Sequence, residues 1–561
     1  MQGVCRGIHA WTTLSGTKSL GAGTHQRLYI IQNGLAYDVT PIVQMTTPSN
    51  PFTTTLGSST VTVLDAALTV VPTIGDFVEI SGTTEVGGLT LSGEYTVSSS
   101  ISSTSYTLTA NSNATSSATG GGTSTLAYLL PIGASDSTQN NGWGLGAWGA
   151  GTWSTPRSIS DDVTPPRTWT IDNFGEQMIA CPRGGGIYVW LPSNGTGSRA
   201  AALTGAPTQC NGIFVSNAAE QIIALGCIPA SGSVFDPMWV AWCDNGDYTT
   251  WVAASGNAAG GYPLTDGSQI MGGCRSAQQN LIWTDTALYG MQYIGGTLIY
   301  GFTQLGTGCG LISPAAFGVV GSIAAWMSGL NFITYNGSVQ VLDCPVRDAV
   351  YRNMNTAQSG KIVCGVNSQF SEIRWDYPSL NSTENDSYVI WNYAENTWTL
   401  GGSSTSSIFN GNAIASNISI SRTAWEDYTV WGNPIAFDAN GNSWSHESGY
   451  SAGGYAMPWF LESGQIDIAN GSEIIFCDQL IPDQILSGGS MAIWVQAQRF
   501  PNDSYIVQQN EPFQIVSSTK FVPLRLRGRQ MSVRFDNSFN SIGGFWRLGA
   551  LRARFAPDGR N

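Results

Sequence analysis

The sequence predicts an all-β protein: a β-propeller with an inserted small β-domain and a C-terminal β-sandwich. Charged residues make up only 11% of the 561-residue chain, whereas 68 residues are glycine and 11% are aromatic. Long surface helices need charged side chains on their wet face, while short strands joined by tight turns use glycine and aromatic residues. Asn-Gly pairs between alternating apolar runs are the third observation, because this dipeptide marks two-residue hairpin turns.

Strand–turn–strand units recur along the chain. Alternating apolar runs that meet at a turn lie at residues 27–41, 186–195, 331–342, 386–400 and 434–446. The spacing between such units is irregular but often about 45–55 residues, which is similar to the period of about 40–50 residues in propeller blades. The sequence therefore predicts six to eight blades.

Composition divides the chain into four predicted segments. These are a first propeller segment at 1–45, an inserted β-sandwich or barrel at 46–131, the main β-propeller at 132–458 and a C-terminal β-sandwich at 459–561. The insert is nearly uncharged and shows four or five alternating strands, such as GEYTVSSS. Helix signals are nearly absent, and one short helical turn is expected at 346–353.

The formal net charge of −14 is unevenly distributed. The last 63 residues carry ten basic and four acidic side chains, a net charge of +6, so the first 498 residues carry −20. Proteins that wrap nucleic acid use surface lysine and arginine to replace counterions on the phosphates. The acidic body argues against that function and favours a surface that repels DNA.

No catalytic, cofactor or metal site is predicted, and we expect the protein not to be an enzyme. His9, His25 and His446 are far apart in sequence, which leaves little for a metal site or a Ser-His-Asp triad. The ten cysteines form no CxxC pair, and we interpret them as buried thiols. A GxGxxG string at 144–149 lacks the flanking strand and helix of a dinucleotide site. Whether two carboxylates meet in space, as a glycosidase requires, is left open by the sequence.

The longest uncharged stretch, residues 311–335, is not predicted to cross a membrane. Pro314 and several glycines interrupt it, so it is a poor match to the span of about 20 apolar residues that a membrane helix needs. Two short buried strands around a Gly-Ser turn are the better interpretation. The first eleven residues are not predicted to form a signal peptide, because no apolar run follows a basic start.

Arginine is concentrated near the end of the chain. Arg525, Arg527 and Arg529 alternate along one predicted strand, and Arg552 and Arg554 along another. A period of two places each set on one face of its sheet. Two interpretations remain open: a solvated face, or a docking face that pairs with carboxylates on a neighbouring subunit or partner.

Several strings resemble a family of structural proteins of short-tailed, podovirus-like phages, known as the tail nozzle, tail tubular or hub proteins. The strings are GIHAW at 7–11, GTHQRLY at 23–29, LAYDVTP at 35–41, RTWTIDNFGE at 167–176, PRGGGIY at 182–188, LIWTDTALY at 281–289, QLGT at 304–307, CGL at 309–311, CPVRD at 344–348 and WRLGAL at 546–551. The insert, with VGGL at 86–89 and GEY at 93–95, is similar to a variable β-domain of such proteins. The resemblance covers nearly the whole chain and names no active residue.

The resemblance implies a homo-oligomeric ring, typically of six copies, below the portal and adaptor of a phage tail. Its expected partners are the adaptor or head-to-tail connector protein, tail fibres or spikes, and double-stranded DNA that passes through the lumen without specific binding. Assembly is then expected in the host bacterial cytoplasm, and the mature location is the virion. An acidic lumen would suit this role, because it would not hold phosphate.

One departure from the family bears on the first blade. Family members usually carry a longer segment ahead of the GIHAW string, so blade 1 is expected to lack an outer strand.

The alternative function is a propeller lectin or glycan-degrading enzyme acting on the host cell surface. Two loops, at 242–251 and 425–431, loosely resemble the Asp-box turn of sialidase propellers, but such boxes are structural even there. A bacterial kelch-like interaction module is a third, weaker alternative.

Overall fold

The computed structural model shows an all-β chain that forms two compact units. It describes residues 1–139, 163–296, 298–402, 420–456, 459–467, 472–500, 506–507, 512–537 and 544–559. The propeller unit contains Met1–Gly401 and Ser421–His446, and the C-terminal unit contains Gly402–Ile420 and Glu447–Asn561. Among the described residues, no helix has both the length and the apolar character needed to cross a membrane.

Blade 1 is a four-stranded antiparallel meander. Its strands are β1 (Cys5–Thr12), β2 (Lys18–Thr24), β3 (Leu28–Gln32) and β4 (Leu35–Asp38). The turn between β3 and β4 is Asn33-Gly34, with φ of 52° and 78°. Both values are positive, as the predicted two-residue turn requires. The expectation that this blade lacks an outer strand is wrong, because all four strands are present.

The insert follows blade 1 as one eight-stranded sheet. Its strands are β5 (Ile42–Thr46), β6 (Phe52–Thr54), β7 (Thr60–Leu64), β8 (Phe77–Ser81), β9 (Gly93–Ser102), β10 (Ser105–Thr109), β11 (Ala118–Gly120) and β12 (Thr125–Leu129), in the order β11-β6-β7-β10-β9-β8-β12-β5. The long strand β9 pairs with β8 along its first half and with β10 along its second. Eight strands exceed the four or five predicted, because three-residue strands such as β6 and β11 are too short to show alternation. A short pair, β13 (Thr138–Gln139) and β14 (Val163–Thr164), precedes blade 2.

Blades 2 to 4 repeat the four-stranded meander. Blade 2 contains β15 (Trp169–Phe174), β16 (Gln177–Pro182), β17 (Tyr188–Trp190) and β18 (Ala201–Ala202). Blade 3 contains β19 (Cys210–Ser216), β20 (Gln221–Cys227), β21 (Asp236–Trp242) and β22 (Gly260–Pro263). Blade 4 contains β23 (Ile270–Cys274), β24 (Asn280–Thr284), β25 (Ala287–Gly295) and β26 (Ile299–Thr307).

Blades 5 to 7 complete the set of seven. Blade 5 contains β27 (Phe317–Val320), β28 (Ile323–Met327), β29 (Phe332–Tyr335) and β30 (Val339–Val341). Blade 6 contains β31 (Val363–Asn367), β32 (Glu372–Pro378), β33 (Asn385–Asn392) and β34 (Thr397–Gly402). Blade 7 has three described strands, β35 (Ala424–Glu426), β36 (Ile435–Phe437) and β37 (Ser443–Ser445). Among the described residues, the helical segments are 3-10 turns at Pro192–Asn194, Thr356–Lys361 and Ser368–Phe370 and the helix α1 (Arg347–Arg352), which is the predicted helical turn.

The first strands of the blades form a closed ring. Strand β1 packs on β15, β15 on β19, β19 on β23, β27 on β31, β31 on β35 and β35 on β1. Blades 4 and 5 meet where the rings of Trp283 and Phe317 stack, with centroids 4.6 Å apart. Blade 7 closes on blade 1 through a buried apolar cluster that includes Cys5, Leu20 and Phe437. The described residues therefore form seven blades, and the ring closes by side-chain packing between the first and last of them.

The C-terminal unit is a β-sandwich with its own core. Its strands are β38 (Ser451–Ala452), β39 (Tyr455–Ala456), β40 (Phe460–Glu462), β41 (Ile466–Asp467), β42 (Ile475–Ile481), β43 (Gln484–Ser487), β44 (Met491–Gln498), β45 (Ile506–Val507), β46 (Phe513–Ile515), β47 (Val522–Gly528), β48 (Gln530–Asp536), β49 (Phe545–Leu548) and β50 (Arg552–Pro557). A six-stranded sheet built on β40, β48 and β44 and a three-stranded sheet, β47-β42-β50, contribute to one apolar cluster. A third sheet pairs β43 with β49.

Candidate functional site

The first strands of the blades run side by side in the same direction around the central axis of the ring, which is called the channel here, so their ends gather at the two ends of that axis. Between blades 2 and 3, the Ile213 amide donates to Thr170 Oγ1 and the Val215 amide donates to the Asp172 carboxylate, both at 2.8 Å. From the first pair to the second, the residue number increases by two on both strands, as it does between parallel strands. Polar residues at the carboxyl ends of different first strands therefore meet at one end of the channel.

Five residues from four blades meet there and form the channel-end cluster: His9, Asp172, Asn173, Arg275 and Glu426. The imidazole of His9 lies between two carboxylates, with Nδ1 3.2 Å from Glu426 Oε1 and Nε2 3.5 Å from Asp172 Oδ1. Nε2 is also 2.8 Å from Asn173 Oδ1. Arg275 Nη1 lies 2.8 Å and 3.0 Å from the two oxygens of Asp172. The cluster joins blade 7 to blades 1, 2 and 4.

The carboxylates of the cluster keep His9 protonated. Burial of the ring opposes its charge, but Glu426 and Asp172 outweigh that effect and raise the pKa of His9 to about 9. At neutral pH His9 is therefore a cation that lies between two carboxylates. Structurally the cluster ties the closing blade to its neighbours; chemically it brings two carboxylates, an imidazolium and a guanidinium to the mouth of a channel.

The His9 ion pairs predict that the propeller loses stability as the solution becomes basic. Below the ordinary pKa of 6.5, His9 is protonated in both the folded and unfolded chain, and its stabilisation is fully present. As the pH rises through the folded pKa of about 9, the ring loses its proton and the stabilisation disappears. The free energy of unfolding should therefore fall between pH 6.5 and 9, as measured by urea denaturation at a series of pH values.

A matched pair of variants isolates this effect. Glu426→Gln removes one carboxylate from His9 and should reduce the fall in stability with pH. Glu395→Gln makes the same chemical change at an exposed site and should leave the pH dependence unchanged. If the two variants show the same pH dependence, the His9 pairs do not cause it.

A second ionic network lies at the opposite ends of the first strands. Lys361 Nζ lies 2.5 Å from Asp136 Oδ1 and 2.9 Å from Glu384 Oε1, and Arg6 Nη2 contacts the same Glu384 oxygen at 2.5 Å. The Lys361 side chain has 0% exposure. The network joins blade 1, blade 6 and the segment before blade 2, so it serves to hold the ring together.

The structure places the five predicted arginines in the C-terminal unit. Arg525 and Arg527 are exposed on β47, Arg552 and Arg554 are exposed on β50, and Arg529 is half-buried. Strands β47 and β50 flank β42, so one sheet carries both sets. Three of these arginines already have carboxylate partners within the unit: Arg527 pairs with Asp558, Arg552 with Asp483 and Arg554 with Asp478. Both interpretations of this face, solvated or docking, stay predictions.

The other sequence-level candidates have structural roles where they are described. His446 accepts a hydrogen bond from Arg422 at 2.9 Å, and burial with nearby arginines lowers its pKa to about 2. Asp247, in the first Asp-box-like loop, accepts from Thr249 and Thr250. All ten cysteines are free thiols. No group of three or more potential metal ligands meets among the described residues. The GxGxxG string at 144–149 lies outside the described residues.

The sequence analysis missed the channel-end cluster because its members come from distant parts of the chain. His9, Asp172 and Glu426 belong to three different blades. A usable signal was present, since all three lie at or near the carboxyl ends of first strands, which a propeller brings together. Finding it would have required knowing which strand of each blade is innermost.

Comparison with known proteins finds only solved structures of low similarity. No protein-family model and no curated protein sequence matches the chain. Similar solved structures include the phage phi92 endosialidase (TM-score 0.21, 10% identity, 93% of this chain and 75% of that one). Another is a glycoside hydrolase family 43 arabinoxylan arabinofuranohydrolase from Bacillus subtilis (TM-score 0.18, 10% identity, covering 69% of this chain and 78% of that one). A third is an exo-beta-1,3-galactanase from Phanerochaete chrysosporium (TM-score 0.17, 8% identity, covering 69% of this chain and 95% of that one).

These structures correct one prediction. The sequence analysis expected that the protein is not an enzyme, and that expectation is overturned because all three structures are named as enzymes. TM-scores this low identify neither a shared reaction nor a shared substrate.

Proposed function

We propose that this chain is a structural protein of a short-tailed phage tail, in which copies assemble into the nozzle through which DNA leaves the particle. The observation that carries the proposal is the set of strings, spread over nearly the whole chain, that resemble nozzle proteins. Three of them meet at the seam between blades 1 and 2. Trp169, from the string at 167–176, packs against Gly7 and Gly23, from the other two.

Charge supports the same role. A conduit must let DNA slide, and a basic lumen would hold the phosphates through many salt-dependent contacts. The first 498 residues carry a net charge of −20. The purified protein is therefore expected to leave double-stranded DNA unshifted in a gel at physiological salt.

The test of the nozzle proposal is the assembly state of the full chain. Negative-stain imaging combined with light scattering should show closed rings or tubes with a central channel, whose mass is a multiple of 59.5 kDa. The exposed arginines offer a variant: Arg525→Gln with Arg527→Gln should weaken assembly if this face docks. Arg347→Gln, on the exposed surface of the propeller unit, is the matched control. Monomers at every concentration, alone and on purified phage connectors, would contradict the proposal.

The second candidate function is a propeller that binds or cleaves glycans of the bacterial surface. The channel-end cluster favours it, because two carboxylates flanked by an imidazolium and a guanidinium are the kind of groups that glycoside hydrolysis uses. Incubation with bacterial surface polysaccharides should then release reducing ends, and Asp172→Asn should abolish that release. Glu395→Gln should retain it. Release that is unchanged in Asp172→Asn would place any activity elsewhere.

A further inference from the structure

A cavity of about 690 Å³ opens beside Arg275, and it is referred to below as the Arg275 cavity. It lies between blades 3, 4 and 5, at the end of the channel where the first strands end. Five amide side chains line it: Asn217, Gln278, Gln279, Asn280 and Gln292. Tyr293 adds an exposed aromatic ring, which packs edge-on against Tyr300 at 5.6 Å. The volume of the cavity is within the range of about 300–1,000 Å³ typical of small-molecule sites.

Arg275 is the sole charged residue among the described side chains that line the cavity. Its Nη1 is occupied, because it contacts both oxygens of Asp172 and donates to the Val215 carbonyl at 3.2 Å. Nε and Nη2 have no hydrogen-bond partner within the described part of the chain, and neither is enclosed, since the side chain is 37% exposed. The Asp172 contacts therefore orient the guanidinium and leave the Nε–Nη2 edge available.

That edge defines the charge of the ligand. The Nε and Nη2 donors of arginine form a planar fork that matches the two oxygens of a carboxylate. No acidic residue lies among the described lining residues, so nothing in the lining competes for the fork. Although the protein as a whole has a net charge of −14, the Nε–Nη2 edge of Arg275 can bind a negatively charged group.

The amides define the rest of the ligand. Each amide offers both a donor and an acceptor, and several neutral amides around one cavity suit a ligand with several hydroxyl groups. Asn280 is oriented by a hydrogen bond to Ser216 at 3.0 Å, and Gln279 by one to the Tyr335 hydroxyl at 3.1 Å. An aromatic ring at the rim supplies apolar contact area with few rotatable bonds. We propose that the Arg275 cavity binds a saccharide that carries a carboxylate.

The test compares acidic and neutral sugars. Binding of glucuronic acid, galacturonic acid and N-acetylneuraminic acid, each against glucose, is measured by isothermal titration calorimetry and saturation-transfer NMR on the full chain. At least one acid should bind about tenfold or more tightly than glucose, since a charge-assisted hydrogen bond contributes on that scale. Equal binding of acid and neutral sugar, or binding by none of the three acids, overturns the proposal.

Variants locate the binding. Arg275→Gln should remove the preference for the acid, while Arg347→Gln, a charge-matched change at an exposed ion pair, should keep it. Because Arg275→Gln also leaves Asp172 with one partner fewer, a second variant is needed. Gln292→Ala alters an exposed lining residue outside the channel-end cluster and should weaken the acid and glucose together. Full acid binding in both Arg275→Gln and Gln292→Ala would show that the ligand binds elsewhere.

This inference goes beyond assembly and hydrolysis. The readout is binding, so acid-selective binding that is lost in Arg275→Gln would stand even if the chain forms no ring and cleaves no glycan. Conversely, rings or hydrolysis without acid-selective binding would remove the inference and leave the proposed function in place.

Discussion

Replacing Gly23 with alanine is expected to lower the free energy of unfolding by about 3 kcal/mol, the upper end of the usual cost of overpacking. Gly23 lies on β2 and faces Trp169 on β15, across the seam between blades 1 and 2. An added Cβ would lie closer than 3.0 Å to three atoms of the indole. The indole cannot move aside freely, because its Nε1 donates to the Thr24 carbonyl at 2.7 Å and the residue is buried. Urea denaturation of the full chain, followed by tryptophan fluorescence, measures the loss.

Gly256→Ala is the matched control for this prediction. Gly256 has no heavy atom within 4 Å of an added Cβ, and its backbone is outside the left-handed region. Stability should therefore change by no more than about 0.5 kcal/mol. In a Trp169→Ala background, Gly23→Ala should cost much less than in the natural chain, because the clashing ring is gone. If Gly23→Ala and Gly256→Ala have equal stabilities, the seam is not tightly packed.

Lys361→Met is expected to cost about 3 kcal/mol of stability, near the lower end of the range for removing one partner of a buried ion pair. Lys361 Nζ donates to Asp136 and Glu384 and, at 2.6 Å, to the Thr383 carbonyl. Methionine fills a similar volume but leaves both carboxylates without this cation. The loss stays near the lower end because Asp136 and Glu384 are partly exposed and can be rehydrated. Thermal and urea denaturation both report it.

Lys18→Met provides the comparison, since Lys18 is an exposed lysine at the start of β2. The same chemical change there should shift stability by less than about 0.5 kcal/mol. A Lys361→Met chain as stable as Lys18→Met would mean that the buried network contributes little beyond what methionine packing replaces. That outcome would contradict the prediction.

The hairpins were readable from the sequence because their chemistry is local. Two strands were predicted around Gly321-Ser322, and the structure has β27 and β28 on either side of that turn, with Gly321 at φ 58°. The Asn33-Gly34 turn likewise has the positive φ values that its dipeptide predicts. Strands of two or three residues, such as β6, β11 and β18, escaped prediction because so few residues cannot display a period.

The exposed arginines were partly readable. Alternation on β47 predicts that Arg525 and Arg527 share one face, and both are exposed while Leu524 and Leu526 are buried. Their carboxylate partners were not readable. Asp558 reaches Arg527 because β50 and β47 flank the same strand, and strand order within a sheet is decided by long-range pairing.

By itself, the sequence determined the all-β class, most of the hairpins and the acidic body with its basic end. Turn dipeptides and side-chain alternation depend on only a few neighbouring residues, and composition does not depend on residue order. Only the tertiary structure decided that there are seven blades and that blade 7 closes on blade 1. It also decided that His9, Asp172 and Glu426 meet. Closing the ring brings together the ends of strands that lie hundreds of residues apart, and no local pattern in the sequence records which of these ends become neighbours.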